Sequence, residues 1–155
     1  IDARGNFTNQ RRWLMNQGRA TTESFDAGSL DDIPDAYFDF LEELPYYFVV
    51  DEYILVHAGF SFDMPNPFDE KHSMLWQRQW YESINYHWLG DRIIIHGHTP
   101  IIQSSAKALL KNLSKNQYLD IDTGCVFHGK FPGYGFLTCF DLNERRLKFQ
   151  ENVDF

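Results

Sequence analysis

The sequence predicts an α/β protein with a mixed sheet, and three observations predict it. Helix-periodic and strand-periodic segments follow one another in the order helix, helix, hairpin, irregular stretch, strand, helix and a closing run of strands. Aromatic residues make up 17% of the chain, with 14 Phe and 8 Tyr, types that favour strands and fill large interior volumes. Apolar residues reach 43% of 155, enough to bury a core in a chain of one-domain length, so residues 1–155 are read as one domain.

The elements follow in order. Thr8 is placed to cap a short helix that runs through Gln17 and ends at Gly18, with Trp13 and Leu14 facing inward. Residues 19–34 are polar, contain Gly28 and Pro34, and read as a loop. Tyr37, Phe38, Leu41 and Leu44 recur at helical spacing, which predicts a helix from Asp35 to Leu44, stopped by Pro45. Strand-like runs at 46–50 and 53–57 flank Asp51-Glu52, the pattern of a β-hairpin. Pro65 and Pro67 mark 61–72 as irregular, and 74–88, rich in Trp and Tyr, reads as helical. Arg92–His96 is a short buried strand, and 103–117 is a surface helix or loop. Three strands are expected at 118–123, 135–141 and 146–150, the last two joined by a turn at Leu142–Arg145.

Composition excludes several classes. A net charge of −8, with no basic run longer than two residues, argues against a nucleic-acid partner, because phosphate backbones are held by clustered Lys and Arg. No apolar run is long enough to span a bilayer, and the polar start shows no signal peptide, so a cytoplasmic setting without a membrane partner is expected. Cys125 and Cys139 form no C-x-x-C motif and are expected as buried free thiols.

Two histidine motifs stand out. Val56-His57-Ala58-Gly59 and His96-Gly97-His98-Thr99-Pro100 each end an apolar strand, and Gly59 and Gly97 are expected to leave room for a ligand. Two strand-tip imidazoles at one sheet edge could bind a transition metal. Each could equally be a hydrogen-bonded structural residue, and residue chemistry alone leaves both readings open. His72, His87 and His128 have no such context and read as structural or surface residues. Arg78 could grip two phosphate oxygens at once, although an isolated Arg is ordinarily a surface group.

Six stretches, taken in order, resemble the bacterial PPP-type serine/threonine phosphatases among the calcineurin-like metallophosphoesterases. Trp13–Thr21 resembles W-x-x-N-G-G-x-x-T, and Phe40–Pro45 resembles the F-x-x-L-P before the V-H-A-G strand. Met74–Arg78 resembles L-W-x-R, and Ile95–Pro100 resembles V-H-G-H-T-P. Asp120–Val126 resembles I-D-T-G-C, and Gly135–Cys139 resembles G-x-L-T-A. The resemblance implies part of an α/β/β/α sandwich and hydrolysis of phosphoric monoesters in phosphoproteins or small phosphoesters. It implies two divalent metal ions, manganese first, with iron or zinc as alternatives. It also implies His57 and His98 as ligands of the second ion and Arg78 as the phosphate-binding residue. Pro100 after Gly97-His98-Thr99 fits protein phosphatases and symmetrical dinucleoside tetraphosphate hydrolases, the latter being the enzymatic alternative; a non-catalytic interaction domain is the alternative from another class. The family's G-D-x-H-G, G-D-x-x-D-R-G and G-N-H-E segments are not found, and with them go the first-metal ligands and the general-acid His. No catalytic acid is therefore assigned here, and the isolated chain is expected to be inactive as part of a larger parent.

Overall fold

The computed structural model describes residues 3–154, which form two compact units, one running up to Pro45 and the other starting at Tyr46. The protein is α/β, with a mixed four-stranded sheet and flanking helices in the second unit.

The first unit is helical. Helix α1 (Phe7–Trp13) is capped by Asn6, whose side chain accepts the Asn9 N–H at 3.1 Å, rather than by Thr8. A kink at Asn16 and Gln17, the latter with φ 68°, separates it from α2 (Arg19–Ser24). The expected loop at 19–34 thus contains a helix, and a 3₁₀ turn at Leu30–Asp32 closed by a Ser29–Asp32 capping box. Its polarity is that of a solvated helix, which composition does not separate from a loop. Trp13 packs towards Ala3, Leu30 and Ile33 and lies against Gly18, but Leu14 is exposed instead of facing inward. Helix α3 (Asp35–Glu43) matches its expected span, with Tyr37 and Leu41 of its apolar stripe largely exposed.

The second unit is organised by its sheet. Strands β1 (Tyr47–Val50) and β2 (Tyr53–Val56) form the expected antiparallel hairpin around Asp51-Glu52. Strand β3 (Ile93–His96) joins β2 in parallel, and β4 (Tyr118–Asp120) joins β3 in parallel, giving the order β1-β2-β3-β4. Covered on both faces, β3 is the continuous apolar run that such a position demands. On one face Ile54, Val56 and Ile94 pack with Phe60, Met74, Trp80 and Leu89. On the other, Tyr53, Ile93, Ile95 and Leu119 pack with Leu113 and Phe140. The residue alternation is that of a pleated strand.

The segment expected as one helix at 74–88 is broken into α4 (Lys71–Trp76), a 3₁₀ turn at Tyr81–Ser83 and α5 (Tyr86–Leu89). Its aromatics are held by ring contacts in the core, among them Phe60–Trp88 and Phe68–Trp88, and not by helical stacking. Helices α6 (Gln103–Lys111) and α7 (Leu113–Asn116) fill the connection to β4. Strands β5 (Phe136–Asp141) and β6 (Arg146–Glu151) pair as a separate antiparallel hairpin, so β4 is not the first strand of a terminal meander. Tyr53 anchors that hairpin: its hydroxyl donates to the Leu142 carbonyl at 3.0 Å and accepts from Arg145 Nε at 3.0 Å. Cys125 is only half-buried and Cys139 is exposed, against the expectation of buried thiols, because Cys139 sits on the solvent-facing side of β5. Among the described residues no helix is long and apolar enough to cross a membrane.

Candidate functional site

Because β2 and β3 run parallel, their C-terminal tips open at one sheet edge, the place where open α/β sheets receive ligands. His57 follows the last residue of β2, and His98 stands just past β3. The Gly97 N–H donates to the His57 carbonyl at 2.9 Å and locks the two tips together. The side chains meet: His57 Nε2 and His98 Nδ1 are 3.0 Å apart, with ring centroids at 4.8 Å.

His98 reaches this position with φ 71°, at the centre of a three-residue turn in which the Thr99 N–H donates to the Gly97 carbonyl at 2.9 Å. A turn of this kind with positive φ is rare and strained, on the order of 1–3 kcal/mol for a residue with a Cβ. The glycines have another use than the one expected. A Cβ at Gly59 would overlap the Trp80 indole, and one at Gly97 would lie 3.1 Å from Asp122 Cβ. Both admit side chains of the protein itself rather than a ligand.

Trp76 stands edge-on to His98 at 5.7 Å. Arg78 is exposed and close enough for its charge to act on His98, and among the described residues no hydrogen bond or ion pair engages its guanidinium. Partial burial pushes the His98 imidazole below its ordinary value, with the His57 and Arg78 charges adding to the effect and Asp122 opposing it. Asp122, which the motif reading does not single out, enters the site through that charge. It is fixed by the Gly124 N–H, which donates to its Oδ1 at 2.9 Å.

The donor set fits one divalent ion in part. Two nitrogens 3.0 Å apart, each about 2.1 Å from an ion, would subtend about 90° there, a fit to neighbouring corners of an octahedron. The same spacing is also that of an imidazole–imidazole hydrogen bond. Among the described residues no three His, Cys, Asp or Glu side chains converge, so the described residues offer two such ligands here. Metal-bound histidines ordinarily donate their other ring N–H to a backbone or carboxylate oxygen, whereas His98 Nε2 is buried without a partner.

His96 of the same motif goes elsewhere. It turns inward against Trp80 and Tyr81, at centroid distances of 4.9 Å and 5.5 Å, and is 2% exposed. Its cross-strand partner is Asp120, which is fully buried. His96 Nε2 and Asp120 Oδ2 both lack hydrogen-bond partners. Burial holds His96 down to about 4 and lifts Asp120 to about 7. Sequence reasoning misses this pair; the available signal is that alternation along 118–123 puts Asp120 on the inward face with Tyr118. Comparisons with protein-family models, with curated proteins and with solved structures give no match to this chain.

Proposed function

We propose that the chain supplies part of the active site of a binuclear metal-dependent phosphomonoesterase, of the serine/threonine protein phosphatase type, within a longer parent. The observation that carries this reading is the 3.0 Å approach of His57 Nε2 to His98 Nδ1 at an open strand-tip edge, with the unengaged Arg78 beside it. His57 and His98 would hold one divalent ion, manganese first, with iron or zinc as alternatives. Such an ion, when bound, acidifies water and neutralises charge on phosphate oxygens. The lowered basicity of His98, caused first by burial, favours its neutral ring, the form that can ligate. The strained turn fixes the direction of that ring, and Arg78 offers two parallel N–H donors to a phosphoryl group. The substrate is a phosphoprotein or a small phosphoester in the cytoplasm. Neither nucleic acid nor membrane is a partner.

The experiment is a cobalt(II) titration of this chain, followed by visible absorption. One weakly held ion is expected, lost in His57→Ala and in His98→Ala and retained in Arg78→Ala. Cobalt binding indifferent to both histidine substitutions would remove the reading.

A further inference from the structure

A cavity whose lining includes neither His57 nor His98 lies on the inward face of β4. Asp120 is fully buried; its Oδ1 accepts the Asp122 N–H at 2.9 Å and its Oδ2 has no partner. This carboxylate lines the cavity, which measures about 320 Å³, within the size range of small-molecule sites. Tyr81 and Tyr118, stacked at 4.6 Å, form one wall. Ile101 and Leu109 form an apolar one. Neutral polar groups come from Ser105, Asn112 and Asn116, and no Lys, Arg or His side chain lines the space. Ser105, Ala108, Leu109 and Asn112 lie on one face of helix α6, so the cavity runs alongside that helix.

We propose that this cavity binds a small organic cation, a primary ammonium on a short alkyl chain, with the nitrogen on Asp120 Oδ2 and the chain along Ile101 and Leu109. An unpartnered buried acceptor is costly, and a ligand donor that satisfies it recovers that cost. An ammonium has three donors, one for the carboxylate and two for neutral oxygens such as that of Ser105. Tyrosine faces attract cations. Once ionised, the single buried Asp120 carboxyl balances a single positive charge, whereas calcium or magnesium requires more oxygen ligands than the cavity's one acid and few neutral groups supply. The assignment does not depend on the roles given to His57 and His98.

The test uses this chain with n-butylamine and n-butanol as probes, followed by amide chemical shifts of Ser105, Leu109 and Tyr118 and by tryptophan fluorescence, since Trp80 neighbours both tyrosines. Saturable shifts are expected with the amine, and the alcohol should bind at least about tenfold more weakly. Asp120→Asn should weaken the amine by a similar factor. Ser105→Leu, which narrows the cavity beside Leu109 and leaves the carboxylate in place, should do the same and keeps the test valid if Asp120→Asn does not fold. Equal responses to amine and alcohol would overturn the proposal. So would amine binding that survives Ser105→Leu, or no saturation by about 50 mM amine.

Discussion

Removing either member of the His96–Asp120 pair should uncover a pH dependence of stability that the intact pair hides. In the folded chain Asp120 keeps its proton up to about 7 and His96 is neutral above about 4, so the pair holds one proton across that window. The unfolded chain also holds one proton between the ordinary values of 3.8 and 6.5, on the histidine instead of the carboxyl. Equal proton counts give zero slope. Tyr81 and Tyr118, which face the pair, titrate far above this range because burial raises both. In Asp120→Asn only the depressed histidine remains. The unfolded state then binds one proton more, and stability rises with pH by ~1.4 kcal/mol per unit, roughly 3 kcal/mol from pH 4 to 6.5. In His96→Phe only the raised carboxyl remains. The folded state binds one proton more, and stability falls as pH rises towards 7, by roughly 4 kcal/mol in all. Urea unfolding followed by tryptophan fluorescence at several pH values between 4.5 and 6.5 measures this. The quantity to compare is each variant's curve minus that of the unsubstituted chain, which cancels the other carboxylates. Two difference curves flat to within about half a kcal/mol, or both of the same sign, would refute the reasoning.

Three further outcomes are expected. Gly59→Ala forces the Trp80 indole to shift and weakens its N–H bond to the Ala58 carbonyl at 3.1 Å, a loss of about 2–4 kcal/mol read as a lower urea midpoint at unchanged slope. Tyr53→Phe keeps the core ring but removes the hydroxyl between Leu142 and Arg145, a loss of about 1–2 kcal/mol by the same assay. This chain alone should hydrolyse p-nitrophenyl phosphate with manganese no faster than background, while a parent carrying the other ligands should turn over and lose orders of magnitude in rate on His98→Ala. Robust metal-dependent turnover by the isolated chain would show that its catalytic groups are others.

Much of the fold was legible because each strand carries its own local signal. The hairpin around Asp51-Glu52 and the apolar run at Ile93–Ile95 lie within a residue of their expected bounds. The break-up of 74–88 was not legible: Trp80 and Trp88 fit a helical period, but their positions are set by distant partners such as Phe60 and Phe62. The partnership of β4 was hidden for a similar reason, since its parallel neighbour β3 is far off in the chain and local alternation cannot name a partner. At the site, the strand-tip rule pointed to His57 and His98, and the two do meet. His96 differs because an even residue step reverses nothing in a strand, but beyond the strand the positive φ of His98 re-aims the chain, so His96 and His98 part ways.

The meeting of His57 and His98 spans 41 residues of chain, and that separation governs when it can form. The β1–β2 hairpin closes a two-residue turn and needs only microseconds. Pairing β2 with β3 must first close the long excursion through α4 and α5, and the entropy lost in doing so precedes any reward from contact. The His57–His98 contact is therefore a late product of folding, and the positive φ at His98 cannot be enforced before the sheet exists. A nascent or partly unfolded chain would present two separate imidazoles instead of the adjacent pair. Ion capture at this edge would thus act as a readout of completed folding and a latch on it.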